Sequence, residues 1–209
     1  MCSKQPRKQV TSSSLGGAGG GTAIYGGTFN PIHLGHLRLG EALVSEGLVE
    51  ELWFLVSPQN PFKVNQELLD DEERLRLARL AVEGRERLHV SDAEFRMPRP
   101  SYMVHTLEYL RREHPDREFV LVIGADNWER FPQWYESEEI LCRHRLIILP
   151  RPGYTLEDLP EGVTVARTPL LNISSTGIRR AIASGSYHGK GLPRVVWNEI
   201  RRKRLYKSK

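Results

Sequence analysis

The chain has 209 residues, 39% hydrophobic and 27% charged, a balance that suits one globular domain with a sizeable core. No apolar run approaches the roughly 20 residues needed to cross a bilayer, and the N-terminus lacks the hydrophobic stretch of a secretory signal. The net charge of +4 sits in the termini: Lys4, Arg7 and Lys8 in residues 1–22 and six cations in 201–209 leave residues 23–200 at −5, so charge gives no argument for nucleic acid as a partner.

Met1 to Gly21 is rich in Ser, Gly and Lys/Arg and reads as a disordered tail, assigned to residues 1–22. Residues 23–206 form a single domain, and 207–209 a basic C-terminal end. Cys2 and Cys142 are the only cysteines, which predicts no disulfide framework and fits a reducing, cytoplasmic setting.

Strand and helix patterns then alternate. Ala23–Gly26 predicts a strand, Leu37–Leu48 a helix, and Glu51–Ser57 a second strand. Between the first two lies Gly26-Gly-Thr-Phe-Asn-Pro-Ile-His-Leu-Gly-His36, a strand-to-helix turn. Its glycines let the backbone approach a ligand, the helix start presents N–H groups and a favourable dipole, and His33 and His36 can donate to phosphate oxygens. Phosphate chemistry is the first reading. The bland alternative is a capping turn with two surface histidines. A P-loop is excluded because no Gly-x-x-x-x-Gly-Lys-Ser/Thr is present, and the Gly16–Gly21 run lacks the spacing of a dinucleotide fingerprint. Zinc would need a third ligand that no nearby Cys or carboxylate cluster offers.

Ser57-Pro-Gln-Asn-Pro-Phe-Lys63 is a rigid loop ending in a cation, and Arg74 in the predicted helix Asp71–Glu83 either shares its surface or is an ordinary exposed helix charge. Arg87–Ser91 predicts a strand, and Tyr102–Glu113 a helix with Ser101 as N-cap. Phe119–Gly124 is apolar throughout, as suits a central parallel strand covered on both faces. Glu136–Cys142, Arg145–Pro150, Val163–Ala166 and Gly177–Ala183 continue the alternation. The pattern predicts an α/β fold, a doubly wound Rossmann-like parallel sheet with helices on both faces and ligands outside the carboxyl ends of the strands. Ser174, Ser175, Thr176 and Arg179 cluster at the last of these helices, where hydroxyls, N–H groups and a forked guanidinium suit a polyphosphate.

Gly26 to His36 resembles the signature of the nucleotidylyltransferase superfamily, His or Thr, any residue, Gly, His. Ile173-Ser-Ser-Thr-Gly-Ile-Arg179 is similar to its Ile-Ser-Ser-Thr-x-Ile-Arg element, and the two stand in the expected order about 140 residues apart. Within that superfamily the chain resembles the bacterial nicotinate-nucleotide adenylyltransferases from about residue 23 to 206: Pro100-Ser-Tyr-Met-Val-His-Thr-Leu107 is similar to their Pro-Ser-Tyr-Thr-x-x-Thr-Leu element, with Met103 where Thr is usual and His105 where an acid is common. Gly124-Ala-Asp126, Trp134-Tyr135, Arg151-Pro-Gly-Tyr154 and a closing helix in Leu192–Tyr206 match as well.

The resemblance implies transfer of the adenylyl group of ATP to nicotinate mononucleotide, with Mg²⁺ accompanying ATP and no metal ligands in the protein. It implies His33, His36 and Arg179 as catalytic. Gly26, Gly27, Thr28, Phe29, His36, Gly124, Asp126, Ile173, Ser174, Ser175, Thr176 and Arg179 would bind ATP. Asn30, Lys63, Tyr102, Met103, Trp134 and Tyr135 would bind the mononucleotide, Trp134 stacking on the pyridine ring and the N–H groups of Met103 and Tyr135 meeting its carboxylate. Trp128 and Phe131 read as core or lid packing, and His105 as a surface residue. Another nucleotidylyltransferase, or a non-enzymatic nucleotide-binding protein, would share the two end motifs. A homo-oligomer is compatible with the sequence but not specified by it.

Overall fold

Every residue of Phe119-Val-Leu-Val-Ile-Gly124 is buried, which a strand achieves only with helices on both of its faces. The structure, a computed structural model, describes residues 20–58, 68–167 and 172–207. Among these, six strands run in the order β3 (Leu88–Ser91), β2 (Glu51–Val56), β1 (Thr22–Gly27), β4 (Phe119–Gly124), β5 (Arg145–Leu149), β6 (Val163–Val165). All neighbours pair in parallel.

Alternate residues of each strand face opposite layers. Ala23, Val120, Val122, Ile147 and Leu149 pack with apolar residues of α1 (Leu34–Ser45), α2 (Asp71–Val82), α6 (Ser175–Ala183) and α7 (Arg194–Lys203). Ile24, Phe119, Leu121, Ile123 and Leu146 pack with Leu107 and Leu110 of α3 (Met103–Glu113) and Ile140 of α5 (Ser137–Arg143). The sheet is doubly wound, as predicted. The chain moves outward from β1 to β3 and then returns to β4 on the other side of β1, so the crevice for a ligand lies outside the carboxyl ends of β1 and β4.

Helix starts differ from the sequence reading. α1 begins at Leu34, because His33 is extended (φ −144°) and acts as the N-cap. Tyr102 rather than Ser101 is the N-cap of α3, without a side-chain bond, and α6 begins at Ser175. The short α4 (Ala125–Trp128) and the 3₁₀ turns Ala93–Arg96 and Phe131–Gln133 are too brief for periodicity to signal. β1 takes in Thr22, assigned above to the tail. Residues 1–19 of that tail, and Lys63, lie outside the described residues. Of the two cysteines, Cys2 also lies outside the described residues.

Arg74 corrects both readings offered for it. It is 0% exposed, so it is neither a surface charge nor open to a phosphate. Its guanidinium donates to the carbonyls of Leu69 (3.0 Å), Thr28 (2.5 Å), Ser57 (2.9 Å) and Pro58 (2.9 Å), and pairs with Asp71 at 2.5 Å. One side chain thus holds the turn after β1 to the loop after β2. Arg74→Ala should cost about 3 to 5 kcal/mol in denaturant unfolding, because the buried acceptors and Asp71 lose their donor. Arg74→Lys should recover only part of this, since an ammonium lacks the planar fork. A loss below about 0.5 kcal/mol, the range of surface substitutions, would contradict this role.

Candidate active site at the carboxyl ends of β1 and β4

β1 delivers Gly26 and Gly27 to the crevice, and the chain turns through Phe29, which is buried and left-handed (φ 43°). The His33 and His36 rings stack with centroids 3.7 Å apart. His33 N–H donates to His36 Nδ1 at 3.2 Å, so the neutral His36 ring carries its proton on Nε2 and can donate from that atom. Burial, aided by His33 and Arg151, holds the His36 pKa well below its ordinary value. His33 is 5% exposed and burial lowers it to about 4; its Nδ1 is buried without a partner. The alternative of two surface histidines therefore fails. Among the described residues no group of three or more His, Cys, Asp or Glu side chains is placed to hold a metal.

These histidines make stability depend on pH. His33, and likewise His144 beside the Phe119 carbonyl, titrate near 4 when folded and near 6.5 when unfolded. The unfolded state takes up protons first, so stability is full above about 6.5 and is lost as pH falls toward 4. At pH 5 each should have cost on the order of 2 kcal/mol relative to pH 7 in urea unfolding. An unchanged stability between those two pH values would refute this.

The second predicted motif docks on the first. Ser175 Oγ donates to the Pro31 carbonyl (2.9 Å), and Arg179 Nη1 donates to the Asn30 carbonyl (2.9 Å) and Nη2 to Thr176 Oγ1 (3.4 Å). Ser174 Oγ accepts from Gly177 N–H at 3.1 Å and caps α6, although the sequence lacks the Glu or Gln of a capping box. Half-buried Ile173 packs against the same core as α1. Asn30 is 2% exposed, and its Oδ1 accepts from Leu69 N–H (3.4 Å) and Tyr206 O–H (2.8 Å). That side-chain oxygen is engaged in joining the turn to the C-terminal segment after α7. Further ion pairs, Arg76–Glu199 at 2.5 Å among them, tie α7 to α2.

Beside this turn is a pocket of about 380 Å³ lined by Tyr25, Gly26, Gly27, Ser57, Glu94, Tyr102, Met103, Trp134 and Tyr135, among others. Gly26 lets the backbone run close to this pocket: a Cβ there would stand 3.2 Å from Met103 Cε, so the end of that side chain would have to shift. Met103 is the first residue of α3, and its N–H has no intrahelical acceptor. Half-buried Trp134 packs on buried Phe131, with centroids 5.3 Å apart, and Phe131 in turn stacks on Trp128. At the mouth, Tyr102 and Tyr135 approach to 4.8 Å, and exposed His105 lies 5.6 Å from Tyr135. A second cavity of about 410 Å³, floored by Trp53, His89 and His114, contains none of the predicted site residues.

Gly124 and Asp126 close the site at the end of β4. Arg151 Nε lies 2.7 Å from Asp126 Oδ1, and a Cβ on Gly124 would meet these atoms at 2.9 and 2.4 Å. Sequence reasoning named Arg151 only within the Arg151–Tyr154 match and did not count it as a site residue. Its position just past β5, at a carboxyl end, was the available signal. Glu94 was missed too, because a single carboxylate between a strand and a Pro-rich segment carries no pattern.

A doubly wound sheet with paired imidazoles at the first strand end and a Ser/Thr/Arg helix start docked on them defines a nucleotide-handling enzyme, and comparison with known proteins agrees. The model of the cytidylyltransferase-like family matches residues 24–181. A protein from Bacteroides fragilis named probable nicotinate-nucleotide adenylyltransferase is 50% identical over 166 residues, covering 78% of this chain and 83% of its own. One of the same name from Bacteroides thetaiotaomicron is 48% identical, covering 86% of this chain and 90% of its own. The nicotinic acid mononucleotide adenylyltransferase of Plasmodium falciparum, solved with NaAD, superposes with a TM-score of 0.72 over 90% of this chain and 97% of its own, at 18% identity. The chain is a nucleotidyltransferase of the cytidylyltransferase-like family, and within it belongs with the nicotinate-nucleotide adenylyltransferases of NAD biosynthesis. No helix of the described residues is long and apolar enough to cross a membrane.

Proposed function

We propose that this enzyme transfers the adenylyl group of ATP to nicotinate mononucleotide, releasing pyrophosphate and nicotinate adenine dinucleotide, in the cytoplasm. The observation that carries the reading is the adjacency of an aromatic pocket, with Trp134 on its wall and the α3 start at its edge, to the His33–His36 turn. A pyridine ring suits an aromatic face, and a ring carboxylate suits N–H groups at a helix start. The 5′-phosphate oxygen attacks the α-phosphorus of ATP in line, the bond to the β-phosphate oxygen breaks, and no covalent enzyme intermediate forms. His36 Nε2–H and the Arg179 guanidinium stabilise charge on the reacting phosphates, with His33 packed behind His36. Gly26 to Phe29, Gly124, Asp126 and Ile173 to Thr176 surround ATP, while Lys63, Tyr102, Met103, Trp134 and Tyr135 meet the mononucleotide. Asn30, engaged with Leu69 and Tyr206, shapes the turn.

Asp126 is paired with Arg151, and no group of three or more His, Cys, Asp or Glu among the described residues is placed to hold a metal, so the donor set suits a Mg²⁺ that arrives on the triphosphate. When bound, Mg²⁺ neutralises phosphate charge. A turnover assay with ATP and either nicotinate or nicotinamide mononucleotide tests the reading. No pyrophosphate release with the acid would refute it.

A further inference from the structure

Glu94 is the only formally charged side chain among the described residues lining the pocket. It is 3% exposed. It comes from the 3₁₀ turn after β3, and its carboxyl accepts from Thr106 Oγ1 at 3.0 Å and from the Ser57 and Ser101 hydroxyls. Among the described residues, no Lys, Arg or His shares the lining. The neighbouring cations are engaged elsewhere: Arg79 and Arg96 pair with Asp92, and Arg99 with Asp71. A carboxylate buried among hydroxyls alone has lost more hydration than those bonds return. Burial accordingly pushes its pKa up against the pull of the three hydroxyls.

Resting on the substrate reading above, we propose that Glu94 is the counter-charge for the pyridinium ring, and that it selects mononucleotides with a cationic ring over those with a neutral one. A pyridine N-linked to ribose is a cation at every pH, whereas the carboxyl and phosphate of the same molecule are recognised at other ends of the site. Trp134 on the pocket wall offers a π face that favours the same charge. Without ligand, Glu94 is a cost to the protein; a pyridinium offsets that cost, and a neutral ring of the same shape does not. The hydroxyl bonds fix the carboxyl in place, so the charge is preorganised.

The test compares two ligands that differ by one ring atom: nicotinate mononucleotide, and its 3-carboxyphenyl C-riboside 5′-phosphate, flat but neutral. By calorimetry at pH 8 the wild-type protein should bind the pyridinium about tenfold or more tightly, the size of one partly screened charge pair. Glu94→Gln, which can still accept from Thr106, should reduce that ratio about tenfold. A wild-type ratio near one, or a ratio unchanged in Glu94→Gln, would overturn the proposal. If nicotinate mononucleotide neither bound nor turned over, the substrate reading itself would fall, and this inference with it.

Discussion

His36→Ala is expected to lower kcat by about 100- to 1000-fold while changing the Kd for ATP little, because it removes one donor aimed at charge that develops in the transition state. The hydrogen bond from His33 N–H occupies Nδ1, so the proton stands on Nε2, and in the proposed reaction that atom would meet the phosphates as a neutral donor. Its lowered pKa keeps it in that form, and kcat should show no His36 titration between roughly pH 6 and 8. The substitution also deletes the bond that caps α1, at about 1 kcal/mol of stability. Thermal melting beside stopped-assay kinetics separates the two effects. A variant with near wild-type kcat would end the catalytic assignment.

Nicotinate mononucleotide should be preferred over nicotinamide mononucleotide by roughly 10- to 10,000-fold in kcat/KM. The Met103 N–H has no acceptor within α3, and the Tyr135 N–H directly follows Trp134, the C-cap of the 3₁₀ turn Phe131–Gln133. Two such donors can each pair with a carboxylate oxygen. A carboxamide turns its own N–H toward one of them, leaving a buried donor unpaired at about 1 to 3 kcal/mol for each bond lost. Since the donors are main-chain, Met103→Thr should leave the preference nearly unchanged. Trp134→Ala should weaken acid and amide together by removing the stacking face. Similar kcat/KM values for the two substrates would reject the backbone-donor model.

Much of this was legible because it is local. β4 announces itself by an unbroken apolar run, and the helices by their period, so the alternation fixed a parallel sheet wound on both faces. The turn at Gly26–His36 and the helix start at Ser174–Arg179 are short stretches whose residue types suffice to suggest anion binding. Helix boundaries were less legible. Whether His33 or a residue further on begins α1 depends on the extended backbone at His33, which no period encodes.

The sequence by itself determined the order of elements, the positions of the two motifs at Gly26–His36 and Ile173–Arg179 and the resemblance that joins them. Only the tertiary structure decided what the charged and titratable residues do. Arg74 became a buried tether, Arg151 a partner of Asp126, and His33 and His36 a neutral stacked pair, while Glu94 was left as the lone charge among the described residues that line the pocket. The physical reason is that hydration and charge pairing, which set the state of such groups, depend on neighbours brought in from distant parts of the chain. Arg74 illustrates it: Thr28, 46 residues away in sequence, is one of the acceptors that make its burial stable.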